Sequence, residues 1–166
     1  MLRIVYSLKE LDFAALMAVY EEGNRENGAF FYPELTPGEA LRRAEQDFYD
    51  YLKQDFFHAD GSLYALWEVR GAYVSALRLE PYRDGYLLEA LETAPDKRGK
   101  GYAKRLMGAF LTFARDRGML PIYSHVRKGN VPSQRVHSAC GFTVYKDLAA
   151  YIDGSVDYKC NTWKFL

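Results

Sequence analysis

The chain has 166 residues, of which 49% are hydrophobic and 27% charged, with 22 Lys and Arg set against 22 Asp and Glu. That length supports one domain, residues 1–166, with a proper core, and zero net charge excludes the broad basic footprint of a nucleic-acid or anionic-membrane binder. The two cysteines, Cys140 and Cys160, make neither a disulfide framework nor a metal-ligand pattern, so no metal is implied. No run reaches the roughly 18 apolar residues of a membrane span, and Met1 to Tyr6 is too short and too polar beyond it for a signal peptide. The expectation is a cytoplasmic protein with reduced thiols.

In chain order, Leu2 to Tyr6 reads as a strand. Ser7 and Glu10 have capping-box spacing, which predicts a helix to about Gly23 burying Leu11, Ala14, Ala15, Ala18 and Val19. Asn24 to Tyr32 is expected to be a loop, rich in aromatics at Phe30, Phe31 and Tyr32, which are candidates to line an acceptor entrance. Thr36-Pro37-Gly38-Glu39 is a second capping box with proline at the first helical position, opening a helix to about Phe57. Ser62–Val69 and Ala72–Leu79 read as a hairpin turning at Arg70-Gly71, and Tyr86–Thr93 as a fourth strand. A helix with Leu106, Met107, Phe110, Leu111 and Ala114 on one face runs to Gly118. Pro121–Val126 is a strand, Asn130 caps a short helix through Cys140, and Phe142–Leu148 and Ser155–Phe165 close the chain as an antiparallel pair.

Between the Tyr86–Thr93 strand and the long helix lies Arg98-Gly99-Lys100-Gly101-Tyr102-Ala103. Two glycines let the backbone turn tightly and approach a ligand closely. The first turn of a helix offers N–H groups without intrahelical partners at the positive end of its dipole. Arg98, Lys100, Lys104 and Arg105 add positive charge. This is an anion site of the kind that holds a phosphate or pyrophosphate. No Gly-x-x-x-x-Gly-Lys-Ser/Thr string is present, and Lys104 stands where a dinucleotide fingerprint needs its third glycine.

Arg98-x-x-Gly101-x-Ala103 matches the Gln/Arg-x-x-Gly-x-Gly/Ala signature of the GCN5-related N-acetyltransferase superfamily. A second match follows at family spacing: Asn130, then a short helix ending in His137-Ser138-Ala139-Cys140-Gly141-Phe142. The chain resembles that superfamily in element order over nearly its whole length, most specifically in its second half. The resemblance implies an α/β acyl-CoA N-acyltransferase fold, with a central mixed, mostly antiparallel sheet and helices on both faces. It implies acetyl-CoA as cosubstrate and an amine acceptor, either a small molecule or a protein or peptide amine. Backbone groups of Leu91, Glu92 and Thr93 are expected to hold the pantetheine. Arg98, Gly99, Lys100, Gly101, Tyr102 and Ala103 are expected to cradle the pyrophosphate. Asn130 reads both as a contact to the pantetheine arm and as a plain helix cap. Pairing through the C-terminal strands is common in the family, so a homodimer is one expected assembly.

The chemistry implied is direct attack of the amine on the acetyl carbonyl, which needs a base for the ammonium proton and a donor for the departing thiolate. In many relatives the donor is a tyrosine at the position His137 occupies here. An imidazolium donates a proton near neutral pH, so His137 is the donor candidate, and a spacer is its structural alternative. Glu89 is one base candidate, expected on the face shared with Leu87 and Leu91, with Glu92 on the opposite face. A solvated pair to Lys or Arg is the alternative for Glu89. His125, in His125-Val126-Arg127 where relatives often read Glu-Val-Arg, is the other base candidate or a structural histidine. Ser133 reads as a solvated helix residue and Cys140 as a buried thiol. The competing readings are a non-catalytic acyl-CoA sensor and, less well supported, a nucleotide-binding regulator.

Overall fold

The computed structural model describes residues 1–166. The elements in order are β1 (Leu2–Val5), α1 (Phe13–Phe31), α2 (Pro37–Gln54), β2 (Leu63–Val69), β3 (Ala72–Tyr82), β4 (Gly85–Thr93), α3 (Tyr102–Asp116), β5 (Ile122–Arg127), α4 (Val131–Ala139), β6 (Thr143–Lys146), β7 (Ala149–Ala150), β8 (Val156–Asp157) and β9 (Cys160–Phe165). Seven strands form one sheet in the order β1-β2-β3-β4-β5-β9-β6, and β7 and β8 make a small separate hairpin. Every neighbouring pair in the large sheet is antiparallel except β4 and β5, which run parallel.

Alternation along the strands feeds two cores. Leu63, Ala65, Leu77, Leu79 and Leu88 pack with Leu106, Met107 and Phe110 of α3. Tyr64, Leu66 and Ala76 point to the other face and pack with Leu16 and Val19 of α1 and Leu52 of α2. Helices therefore cover both faces, as expected. Phe110 is fully buried, worth about 2–3 kcal/mol over exposure. Such burial fixes α3, and with it the glycine loop at its start. No helix is long and apolar enough to cross a membrane.

The local signals at Thr36 and Asn130 form as the residues predict. The Thr36 hydroxyl accepts from the Glu39 N–H while Glu39 reaches back to the Thr36 N–H at 3.0 Å. Asn130 Oδ1 accepts from the Ser133 N–H at 3.1 Å. Arg70 and Gly71 both adopt positive φ, the twist a two-residue hairpin requires.

The start and end of α1 differ from expectation. Ser7 makes no side-chain cap; Asp12 caps α1 instead, accepting from the Ala15 N–H. The helix phase shifts accordingly, burying Leu16, Met17, Val19 and Tyr20 while Ala14 and Ala18 are exposed. α1 also continues through Gly23 and Gly28 to Phe31, where a loop was expected. At Gly28 an added Cβ would lie 2.6 Å from the Ala40 carbonyl oxygen. That glycine is a close contact point for α2. At the other end of the chain, Ser155–Phe165 is not one strand: a turn after β8 precedes β9, which pairs with β6 as expected.

Candidate active site

The parallel ladder between β4 and β5 is short, pairing Tyr86 to Leu88 with Ile122 to Ser124. Beyond it the strands separate. β4 carries a bulge there, since Ala76 of β3 pairs with Glu92 but Arg78 pairs with Glu89. Ala90 sits in the bulge with φ 51°, a conformation that costs about 1 kcal/mol or more for a non-glycine residue. The Tyr20 hydroxyl of α1 donates to the Ala90 carbonyl at 2.7 Å and holds it. The β5-side edge of β4 from Glu89 to Thr93 consequently has no strand partner, and its backbone groups face a cleft.

That cleft, about 620 Å³, is lined by Leu91, Glu92, Thr93, Arg98, Gly99, Gly101, Tyr102, Ala103 and Asn130 among others. All but one of the residues expected to hold the cosubstrate thus line one surface; Lys100 belongs to the same loop but is not among the lining residues. Gly99 and Gly101 have φ of 74° and 75°, and no atom lies within 4 Å of where a Cβ would be. The backbone is therefore bare on the cleft side. Gly101 is the N-cap of α3 and has no side chain to satisfy the first-turn amides. Lys104 adds an ammonium beside them. The pieces fit a pyrophosphate.

Arg98 also makes contacts outside the cleft. Its guanidinium ion-pairs with Glu22 of α1, lies 3.7 Å from Glu92, and bonds the Thr93 carbonyl at 3.3 Å. Its side chain ties the loop to α1. Ser133 is not simply solvated: it lines this cleft and a second, adjoining one of about 160 Å³.

The second cleft brings Glu89, His125 and His137 together, with Ser124, Arg127 and Asn130. The bulge decides which way the acidic residues point. Arg78 and Ala76 share a face of β3, so their partners Glu89 and Glu92 share a face too. This corrects the expectation that Glu92 opposes Glu89. Leu91, expected beside Glu89, packs instead with the α3 core. Nor does Glu89 sit among leucines: it accepts from Arg78 at 3.0 Å, and both side chains are about one-fifth exposed. Arg78 lies over the rings of Tyr51 and Phe56. Glu80, the next inward-facing residue on β3, has its carboxyl pushed up to about 7 by burial and by Glu89, against the pull of Arg78.

His125 lies on the same side, edge-on to Tyr82 and Tyr151. Both ring nitrogens are shielded from solvent and bond no protein group. Burial lowers its pKa, partly offset by the Glu89 charge. His137 lies on the opposite side, buried between Phe142 and Trp163. Its Nδ1 lies 2.8 Å from the Ser133 carbonyl and must donate to it, which leaves Nε2 to accept from the Ser124 hydroxyl at 2.9 Å. Burial lowers the His137 pKa, only partly offset by the Ser133 bond. Cys140 is half-buried, and burial raises its thiol pKa, which disfavours the thiolate.

A depressed imidazole pKa has a consequence for stability. The unfolded chain takes up the proton at the ordinary value of 6.5, whereas folded His137 does so only at lower pH. The unfolded state binds more protons in that window, so stability falls as pH drops from about 6.5 through the folded value. Thermal melts of wild type and His137→Gln across pH 7 to 5 are expected to show a shallower acid loss in the variant. Parallel curves would show that His137 does not titrate differently on unfolding.

Sequence reasoning missed Ser124, Tyr20, Arg78 and Glu80. None carries a local motif, and each matters through a strand or helix neighbour distant in sequence.

Comparison with known proteins agrees with this geometry. The family model described as Acetyltransferase (GNAT) family matches residues 19–142. The aminoglycoside N(6')-acetyltransferase type 1 of Serratia marcescens is 32% identical over 94 residues, covering 55% of this chain and 62% of that protein, so the match spans less than two thirds of the relative's length. The crystal structure of a ribosomal-protein-alanine N-acetyltransferase from Brucella melitensis superposes with a TM-score of 0.65 at 20% identity, covering 100% of this chain and 99% of that one. The PaiA N-acetyltransferase of Thermoplasma acidophilum, solved in complex with coenzyme A, gives 0.61 at 16% identity over 99% and 98% of the two chains. These structures share the fold, and the match over residues 19–142, which contain the glycine loop and both clefts' principal residues, establishes that the chain belongs to the acetyltransferase (GNAT) family.

Proposed function

We propose that the protein transfers an acetyl group from acetyl-CoA to a primary amine, using residues 1–166 as one domain in the cytoplasm. The observation that carries this reading is the pair of joined clefts. A bare glycine loop and uncapped helix start lie at one end, and Glu89, His125 and His137 meet where β4 and β5 part. Acetyl-CoA supplies the acyl group. The amides of Gly101, Tyr102 and Ala103 would hold its pyrophosphate, and the open edge of Leu91 to Thr93, with Asn130, would hold the pantetheine.

The two sides of the sheet divide the proton work. Glu89 and His125 lie on the side of α1 and α2, where the amine enters. Glu89 removes the ammonium proton, and the free ring nitrogens of His125 orient the amine. On the other side the Ser124 hydroxyl donates to Nε2 of neutral His137, so it protonates the departing sulfur only after His137 has taken up a proton at Nε2 and passes it to the Ser124 oxygen. Holding both reactants in line supplies much of the rate. Names among the relatives include an aminoglycoside and, in a Vibrio cholerae chimera, a spermidine acetyltransferase. The acceptor class proposed is a small alkylammonium or a peptide amine.

The test mixes the protein with acetyl-CoA and, separately, spermidine, an aminoglycoside and a peptide with a free N-terminus. Free thiol release and product mass are followed. Amine-dependent thiol release with an acetyl mass increment is the expected result. CoA binding without product from any amine would overturn catalysis and favour a sensor.

A further inference from the structure

One guanidinium faces two carboxylates on the acceptor side of the sheet. Arg78 and Glu80 are two apart on β3, on one face, and Glu89 of β4 pairs opposite Arg78 while Leu87 pairs opposite Glu80. Glu80 and Glu89 are therefore diagonal neighbours on one face, within reach of each other's long side chains. All three side chains are mostly buried. Two ionised carboxylates against one arginine would leave a partly buried net negative charge, which is costly where water is partly excluded.

The other groups facing the trio do not supply the missing positive charge. Tyr51 approaches from α2, Tyr20 from α1, Tyr64 from β2 and Tyr151 from the β7–β8 segment. His125 of β5 faces Glu89, and burial keeps it neutral; Arg83, at the β3–β4 turn, acts on His125. The balance is closed by a single proton on the pair or by a cation entering the cleft.

We infer that Glu80 is a positioning residue for Glu89: the two carboxyls share one exchangeable proton, and together they select an alkylammonium acceptor and receive its proton. This rests on the acetyl-transfer reading for the identity of the acceptor, but not for the shared proton. The ammonium brings one positive charge to the ionised pair. One N–H proton passes to the carboxyls and the bonding electrons stay on nitrogen as a lone pair. The new N–C bond forms as the C–S bond breaks, and sulfur leaves with its electron pair and takes a proton. Glu89 alone, clamped to Arg78, would be a weak base. The second carboxylate raises the proton affinity of the pair, consistent with Glu80 being pushed up to about 7.

The experiment titrates wild type and Glu80→Gln by carbon-13 NMR of labelled glutamate carboxyls, without any substrate, with Glu80→Asp as the conservative variant. The pH profile of kcat/KM with spermidine is measured on the same proteins. The expected result is one carboxyl titration near neutrality in wild type, kept in Glu80→Asp and lost in Glu80→Gln. The acid limb of kcat/KM then moves down by about one to two pH units in Glu80→Gln. Ordinary carboxylate titration of both residues in wild type, or an acid limb unmoved by Glu80→Gln, overturns the inference. A near-neutral shared titration in a protein that acetylates no amine supports the shared proton and overturns the acetyl-transfer reading instead.

Discussion

Replacing Gly101 with glutamate is expected to weaken CoA binding by on the order of 100-fold or more. The residue is at φ 75° and caps α3. A Cβ there meets no protein atom within 4 Å. What it does meet is the cleft, where the added carboxylate sits among the amides that face the pyrophosphate. Two unit charges at about 4 Å interact by ~4 kcal/mol at an effective dielectric of 20, and about 2.7 kcal/mol is already a factor of 100 in affinity. Backbone strain adds about 1 kcal/mol for a non-glycine residue in the left-handed region. Gly101→Asn separates the two effects, since asparagine tolerates that region and carries no charge. Calorimetric titration should show the asparagine variant losing about tenfold or less while the glutamate variant loses nearly all binding. Equal CoA affinity in wild type and Gly101→Glu would remove the loop from the binding site.

Glu89→Gln is expected to lower kcat by roughly 100- to 1,000-fold, with CoA affinity unchanged, because general base catalysis contributes on that scale. Glutamine preserves the shape and still accepts a hydrogen bond from Arg78, so the face beneath α2 keeps its packing around Tyr51 and Phe56. It cannot take up the ammonium proton. The fall should lessen as pH rises, since solvent removes more of the amine's proton at high pH. A loss that is constant with pH, or one accompanied by a matching loss of CoA binding, would place Glu89 in the scaffold rather than in proton transfer. Glu92→Gln serves as the control. Glu92 shares the face with Glu89 but turns toward Arg98 and α1, so its effect on kcat is expected to stay within about tenfold.

The link from Arg98 to Glu22 joins the loop of the cosubstrate cleft to the helix on the acceptor side. These side chains are about half exposed, so the pair contributes little to stability. Its consequence is geometric: α1, which also holds the β4 bulge through Tyr20, is tied to both clefts.

Much of this was legible in the sequence because it is encoded over a few residues. The Arg98 to Ala103 loop, the Asn130 cap, the Thr36–Glu39 box and the Arg70-Gly71 turn each depend on backbone geometry and hydrogen bonds that close within four residues or so. Their residue types dictate them directly. The element order followed from the same signals, and with the family resemblance it led to the fold and to a cleft beside the glycine loop. The tertiary structure alone decided which way the site's side chains point. A bulge at Ala90, held by a hydroxyl 70 residues away, puts Glu89 and Glu92 on one face. Arg78 claims Glu89 across the β3–β4 ladder, and Glu22 claims Arg98 from α1. His137 is neutral because Phe142, Trp163 and Ser124 enclose it from three strands or turns. Gly28, in a segment expected to be a loop, is helical and packs where a Cβ would meet the Ala40 carbonyl. In each case the deciding term is the desolvation or contact energy of a partner remote in sequence, which no local pattern of residues specifies.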